Sequence, residues 1–357
     1  MLVSGLVIGV ILGYLFQRGR FCVTGAFRDV WLSGSTRMLS ALVVVIAVHA
    51  VGLFALQSAG VIQLGTGPFP WLASIVGGLV FGFAIILAGG CATGTYYRAG
   101  EGLVGSWFAL VFYALFAAIS KTGPLAEFTA GIRGVTIPDG TVYETLNVSP
   151  WVLVAVLAAV AVWLIVRDRR RLKAPVATLP ARRTGLAHVL FEKRLNPFLV
   201  AALIGVVGVI AWPLSAATGR NAGLGITTPS ANIASYLVTG DVELVDWGVF
   251  LVLGILLGSF LSALASHEFR VRVPDAATIL KSIAGGALMG VGAAIAGGCT
   301  VGNSMVATAQ FSYQGWVSTA FMLLGAGIAV KLTIRTGGRR LAAAAAAGAP
   351  GARSTVG

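Results

Sequence analysis

Chemistry in this chain is concentrated in three cysteines and in the short polar stretches that hold them. Two occupy near-identical settings, Ala88-Gly89-Gly90-Cys91-Ala92-Thr93-Gly94 and Ala296-Gly297-Gly298-Cys299-Thr300-Val301-Gly302, with the cysteines 208 residues apart. Each copy closes a long apolar run and stops it with paired glycines. Such glycines let the backbone turn sharply and leave amide N–H groups uncovered beside a thiol, a setting that favours an anion. The third thiol, Cys22, lies in Arg18-Gly19-Arg20-Phe21-Cys22-Val23-Thr24-Gly25. A lone cysteine is ordinarily a small buried apolar residue. Two at equivalent points of a duplicated break argue for function. With no Cys-x-x-Cys and only His49, His188 and His267, the chain offers no metal framework and no disulfide scaffold, and no cofactor is expected.

The repeat extends beyond the cysteines. Gly77, Gly78 and Gly82 fall on Gly285, Gly286 and Gly290, and Gly105-Ser106-Trp107 resembles Gln314-Gly315-Trp316 after a one-residue slip. The counterpart of the Cys22 stretch is Gly225-Ile226-Thr227-Thr228-Pro229, which has no sulfur and which Pro229 stiffens. Four equivalent breaks are therefore expected to converge, three of them bearing a thiol.

Charge around these breaks leans towards cations. The acidic residues all lie outside the apolar runs, whereas intramembrane carboxylates are the usual mark of proton or cation pathways. Near the breaks stand Arg18, Arg20, Arg28, Arg98 and Arg220, with Lys121 more distant. Taken singly, each reads as an interfacial residue. Together they favour an anionic substrate. His49, inside an apolar run, reads equally well as a structural or a functional histidine.

The elements that must position these groups are membrane spans. Charged residues make up 10% of the chain, against roughly 25% in soluble proteins, and mean hydropathy is +0.91. No soluble core of this length could hide so much apolar surface. The expected fold is an all-α integral membrane protein with about nine spans, at 2–17, 37–58, 71–90, 103–120, 150–167, 197–215, 247–266, 282–298 and 315–333. The first span reads as retained and not as a signal peptide. The intervals 18–36, 91–102, 219–236 and 299–314 break spans and suit short re-entrant pieces. Small residues at four-residue spacing, such as Gly9/Gly13, suit close helix packing.

Orientation comes from the basic residues between Arg167 and Arg194 (Arg167, Arg169, Arg170, Arg171, Lys173, Arg182, Arg183, Lys193 and Arg194), which place that loop in the cytoplasm. The net charge of +13 is thus a topology signal and not a nucleic-acid signal. Counting spans puts the N-terminus outside, the 216–246 loop outside and the C-terminus in the cytoplasm. The halves then run in opposite directions, a common transporter plan with its site where broken helices meet. The expected division is a first half at 1–149, a connecting span and basic loop at 150–195, an inverted second half at 196–335 and a low-complexity, disordered tail at 336–357.

On Gly19-Arg20-Phe21-Cys22, Ala88-Gly89-Gly90-Cys91-Ala92-Thr93-Gly94, Gly225-Ile226-Thr227-Thr228-Pro229 and Ala296-Gly297-Gly298-Cys299, the sequence resembles the YeeE/YedE sulphur-transport family, over almost the whole chain to about Arg335. The resemblance implies a non-enzymatic inner-membrane protein for thiosulfate uptake, hourglass-shaped, with a narrow waist. It implies that Cys22, Cys91 and Cys299 pass the ion along by S–H···S contacts. Cys91 and Cys299 would line the constriction and Cys22 the route to the cytoplasm. Arg20, Gly89, Gly90, Thr93, Gly94, Thr227, Thr228, Gly297, Gly298 and Gly302 would support them. It also implies a TusA-type sulphur-carrier protein as a cytoplasmic partner. The alternatives are a transporter of another sulphur or selenium species, and a membrane thiol-disulfide oxidoreductase, which the lack of Cys-x-x-Cys disfavours.

Overall fold

The computed structural model describes residues 2–65, 67–171, 185–193 and 195–335. The tail at 336–357 and the loop cations Lys173, Arg182, Arg183 and Arg194 lie outside the described residues. The first half holds α1 (Leu2–Gly19), α2 (Val23–Ser33), α3 (Arg37–Ser58), α4 (Trp71–Leu87), α5 (Ala92–Gly100), α6 (Val104–Lys121), α7 (Ala126–Arg133) and α8 (Val142–Thr145). Then come α9 (Pro150–Arg171), α10 (Gly185–Phe191), α11 (Pro197–Ala216), α12 (Thr227–Thr239), α13 (Trp247–Ala265), α14 (Ala276–Ile295) and α15 (Tyr313–Ala329). A short π-helix, Gly302–Ala307, stands between α14 and α15.

Nine helical segments among the described residues are long and apolar enough to cross a membrane, so the chain is an all-α, multi-spanning membrane protein. Two of them, Leu2–Ser33 and Trp71–Gly100, join a long helix to a short one across a break. The expected start at 282 for the eighth span is six residues late. Asp275 caps α14 by accepting from the Thr278 amide at 3.3 Å, so the helix begins at Ala276, ahead of Lys281, which interrupts the apolar run.

Packing joins the halves crosswise. Helix α1 lies along α13 while α3 lies along α11; α4 packs on α15 while α6 packs on α14; and α4 and α14 meet each other. The short pieces pack in the same manner: α5 sits on α13 and the π-helix on α3, α2 on α15 and α12 on α6. Glycines make these approaches possible. A methyl group on Gly77 would strike the backbone of Ala296, and one on Gly285 would strike the equivalent backbone of Ala88. Gly82 meets Met322, and Gly290 meets Tyr113 and Ala117. Large side chains such as Phe16, Phe21, Phe27, Phe81, Tyr113 and Trp247 are fully buried between the helices. Helix α9 leans on α3 and leaves Trp151, Val156, Val160 and Trp163 exposed on its outer face.

Candidate functional site

The cysteines stand where long helices stop and short ones start. Helix α4 ends at Leu87, Gly89 takes a left-handed φ of 71°, and Cys91 is extended and caps α5. The second copy repeats the glycine turn, with Gly297 at φ 75°, and leads through Cys299 to the π-helix that begins at Gly302. A glycine just past a helix end meets no steric penalty there. Before Cys22 the same position is held by Arg20, at φ 48°. A non-glycine residue costs roughly 1–2 kcal/mol in that conformation. Two carboxylates hold it there: Arg20 pairs with Glu101 at 2.6 Å and Glu268 at 2.7 Å. Each cysteine carbonyl then accepts the first hydrogen bond of the next helical segment, from Ala26 at 3.0 Å, Thr95 at 2.8 Å and Asn303 at 2.8 Å. At the fourth break Ile226 has this role, its carbonyl accepting from Ser230 at 2.9 Å.

The three thiols are free and buried. The structure brings Cys22 and Cys91 together: a side-chain carbon on Gly94 would lie 3.5 Å from Cys22 Sγ and 3.7 Å from Cys91 Sγ. No hydroxyl or carboxylate caps α2 or α5, and in their first turns the amides of Gly25 and Gly94 face the thiols of Cys22 and Cys91. Just beyond the cysteines, the buried hydroxyl of Thr93 has no hydrogen-bond partner, while those of Thr24 and Thr300 face the thiols of Cys22 and Cys91. Buried polar groups are ordinarily paired.

Cys299 opens on a different space, a cavity of about 300 Å³ that Arg220, Thr227, Thr228, Gly297, Gly298 and Gly302 also line. A larger neighbour, about 510 Å³, shares Thr227, Thr228 and Gly297 with it and adds Lys121 and Arg133. Lys121, expected to stand apart from the breaks, instead donates to the Thr228 hydroxyl. The reason is tertiary: α6 packs on α12, which carries the end of one helix to the start of another. Burial pulls the Arg133 and Arg220 guanidinium groups below their ordinary pKa, and Asp246, 3.5 Å from Arg220, pushes the latter back up. At the other end of the molecule, Arg20 is consumed in ion pairs, Arg18 joins Glu268 at 3.3 Å, and burial pushes the Glu101 carboxyl up against the pull of Arg20.

Guanidinium groups also brace both glycine turns. Arg98 donates to the Gly89 carbonyl, and Arg133 donates to that of Ile295 at 3.0 Å. Asn303 bonds the Gly298 carbonyl at 2.8 Å and accepts from Gln314 at 3.1 Å. Arg133 and Asn303 carry no motif, and their role comes only from proximity. His49 packs against Gly208 between α3 and α11, and the backbone of Met305, in the π-helix that follows the Cys299 turn, also reaches it.

The chain's relatives are transporters and not enzymes. The family profile described as "Sulphur transport" matches residues 18–328. The thiosulfate transporter TsuA of Escherichia coli (strain K12) is 52% identical over 325 residues, 91% of this chain and 92% of that protein. The thiosulfate transporter TsuA of Spirochaeta thermophila is 30% identical over 340 residues, 91% of this chain and 97% of its own length. The probable transporter YedE of Escherichia coli (strain K12) is 44% identical over 106 residues, 29% of this chain and 25% of that protein. With its repeated breaks, its thiols and a match across nearly its whole spanning region, the chain belongs to the YeeE/YedE sulphur-transport family.

Proposed function

We propose that the chain carries thiosulfate, or a closely related sulphur anion, inward across the inner membrane by way of Cys22, Cys91 and Cys299 at a narrow passage between its halves. The observation that carries this reading is the convergence of two thiols from different breaks on the bare face of Gly94, with the hydroxyls of Thr24 and Thr300 against those thiols. The two thiosulfate transporters, similar over nine-tenths of the chain, support the choice of ion.

Thiosulfate is a dianion with a soft terminal sulfur. Moving it into a dry passage is costly unless donors replace its water. Amides at the starts of α2 and α5 and the hydroxyls of Thr24, Thr93 and Thr300 are such donors. Gly89, Gly90, Gly297 and Gly298 keep the turns tight enough for those amides to face inward. A thiol is a polarizable neighbour and a weak donor, so it can touch the ion without trapping it. Weak contacts in series suit conduction. The thiols serve in their neutral form, since a thiolate would repel the cargo.

We read residues 1–149 and 196–335 as oppositely directed halves joined by 150–195, with the N-terminus outside and the C-terminus in the cytoplasm. The crosswise packing supports a two-fold relation between them. Five spans precede α11, so a repeat beginning there starts on the opposite side from α1. A TusA-type carrier collecting sulphur at the cytoplasmic mouth belongs to the same reading and rests on family resemblance.

The test is uptake of labelled thiosulfate in a strain lacking other sulfate and thiosulfate importers, at matched protein level. Cys91→Ala and Cys299→Ala should each reduce uptake to background. The serine variants, which keep a hydrogen-bonding group but lose softness, should retain part of it. Wild-type uptake in either alanine variant would remove that cysteine from the route.

A further inference from the structure

The larger of the two cavities holds a constellation that the thiol route does not use. Ser120 and Thr129 line it, both buried, with hydroxyl oxygens that have no hydrogen-bond partner. Lys121 and Arg133 line the same wall, and no carboxylate among the described residues lies within ion-pair distance of either. Lys121 is exposed at the mouth and Arg133 half-buried; two cations facing one cavity repel each other, and an unpaired buried hydroxyl is unfavourable. Both costs vanish when an oxygen-rich anion enters.

Thr227 and Thr228 complete the wall on the side facing Cys299. The Tyr113 hydroxyl donates to Thr227 Oγ1 at 2.9 Å, and the Lys121 ammonium donates to Thr228 Oγ1. A hydroxyl whose oxygen is already accepting has its single hydrogen free to give. Tyr113 and Lys121 therefore turn the two threonines into donors. Every polar side chain on this wall then offers hydrogen, and none of them is acidic.

We propose that this cavity is a reception site for the oxygen-bearing end of a tetrahedral dianion, separate from the thiols and filled before the ion reaches Cys299. The proposal deepens the transport reading and rests on it for the identity of the cargo. The sulfonate oxygens are held by Ser120, Lys121, Thr129 and Arg133, which leaves the terminal sulfur leading past Thr227 and Thr228 toward Cys299. Sulfate shares the oxygen end and lacks the soft sulfur, so it should bind here and go no further. Tyr113 acts through Thr227 and is a positioning residue.

The experiment is calorimetric titration of sulfate into the purified full chain in lipid nanodiscs, paired with uptake kinetics. Wild type and Cys299→Ala should bind sulfate equally. Lys121→Gln and Thr129→Val should bind it about tenfold more weakly, the effect of removing a charge-assisted hydrogen bond. The same two variants should raise the KM for thiosulfate to a similar extent while keeping the maximal rate, and Tyr113→Phe should do so more mildly. A merely structural role would lower the maximal rate instead. Failure of wild type to bind sulfate would overturn the proposal. So would unchanged binding in Thr129→Val, which replaces a hydroxyl by a methyl of equal size and carries the test if Lys121→Gln folds poorly. Sulfate binding that persists in a protein unable to take up thiosulfate would sink the transport reading and leave this site standing.

Discussion

Gly94 separates folding from passage. A methyl group there meets Cys22 Sγ and Cys91 Sγ at ordinary contact distance, and Gly94 lies in the first turn of α5 without a left-handed φ. Gly94→Ala should therefore fold at least as well as wild type, since alanine gains up to about 1 kcal/mol over glycine in a helix. It would nevertheless fill the space that both sulfurs face. Thermal stability at or above wild type together with a large loss of thiosulfate uptake is the expected result; unimpaired uptake would show that the ion does not pass between those sulfurs. At this scale the cysteines and their glycines are legible, because a duplicated seven-residue pattern is visible in one dimension. Arg133, Asn303 and the reach of Lys121 to Thr228 are not. Each belongs to a segment with no motif and gains its meaning from a neighbour 5 to 162 positions away.

Among the elements, glycine decides how closely helices approach. Gly77 and Gly285 lie at equivalent points of α4 and α14, and each faces backbone of the other half. Neither Ala296 nor Ala88 can step aside, because both sit at helix ends that lead directly into a cysteine turn. Gly77→Ala and Gly285→Ala should each cost about 1–3 kcal/mol through overpacking, and by similar amounts. The check is the apparent melting temperature of each variant in one detergent. A large loss for one and none for the other would undo the proposed two-fold relation of the halves. Hydropathy finds the long spans nearly correctly, and it starts α14 late because Lys281 interrupts the apolar run, while the cap at Asp275 is a single residue. The short helices α2, α5 and α12 can be placed as breaks. Their helical character is not readable, since so few residues carry little periodic signal.

For the whole molecule, the inverted reading makes a prediction about sides. Val242, in the loop after α12, and Ala277, at the start of α14, are both exposed and lie at opposite ends of α13. An impermeant maleimide should label Val242→Cys from outside the cell and Ala277→Cys only after the cytoplasmic face is opened. The buried native thiols should contribute little background. Labelling of both from one side would end the proposed orientation. The sequence by itself determined that the chain is a membrane protein, that it writes one glycine–cysteine stretch twice and that its thiols sit at helix breaks. Those properties are written in composition and in a repeat, which need no third dimension. Only the tertiary structure decided that Cys22 lies against Cys91 while Cys299 opens on a separate cavity, and that a hydroxyl-and-cation chamber stands beside it. The physical reason is that crosswise helix packing, set by backbone contacts at glycines, joins residues whose separation along the chain carries no signal of their meeting.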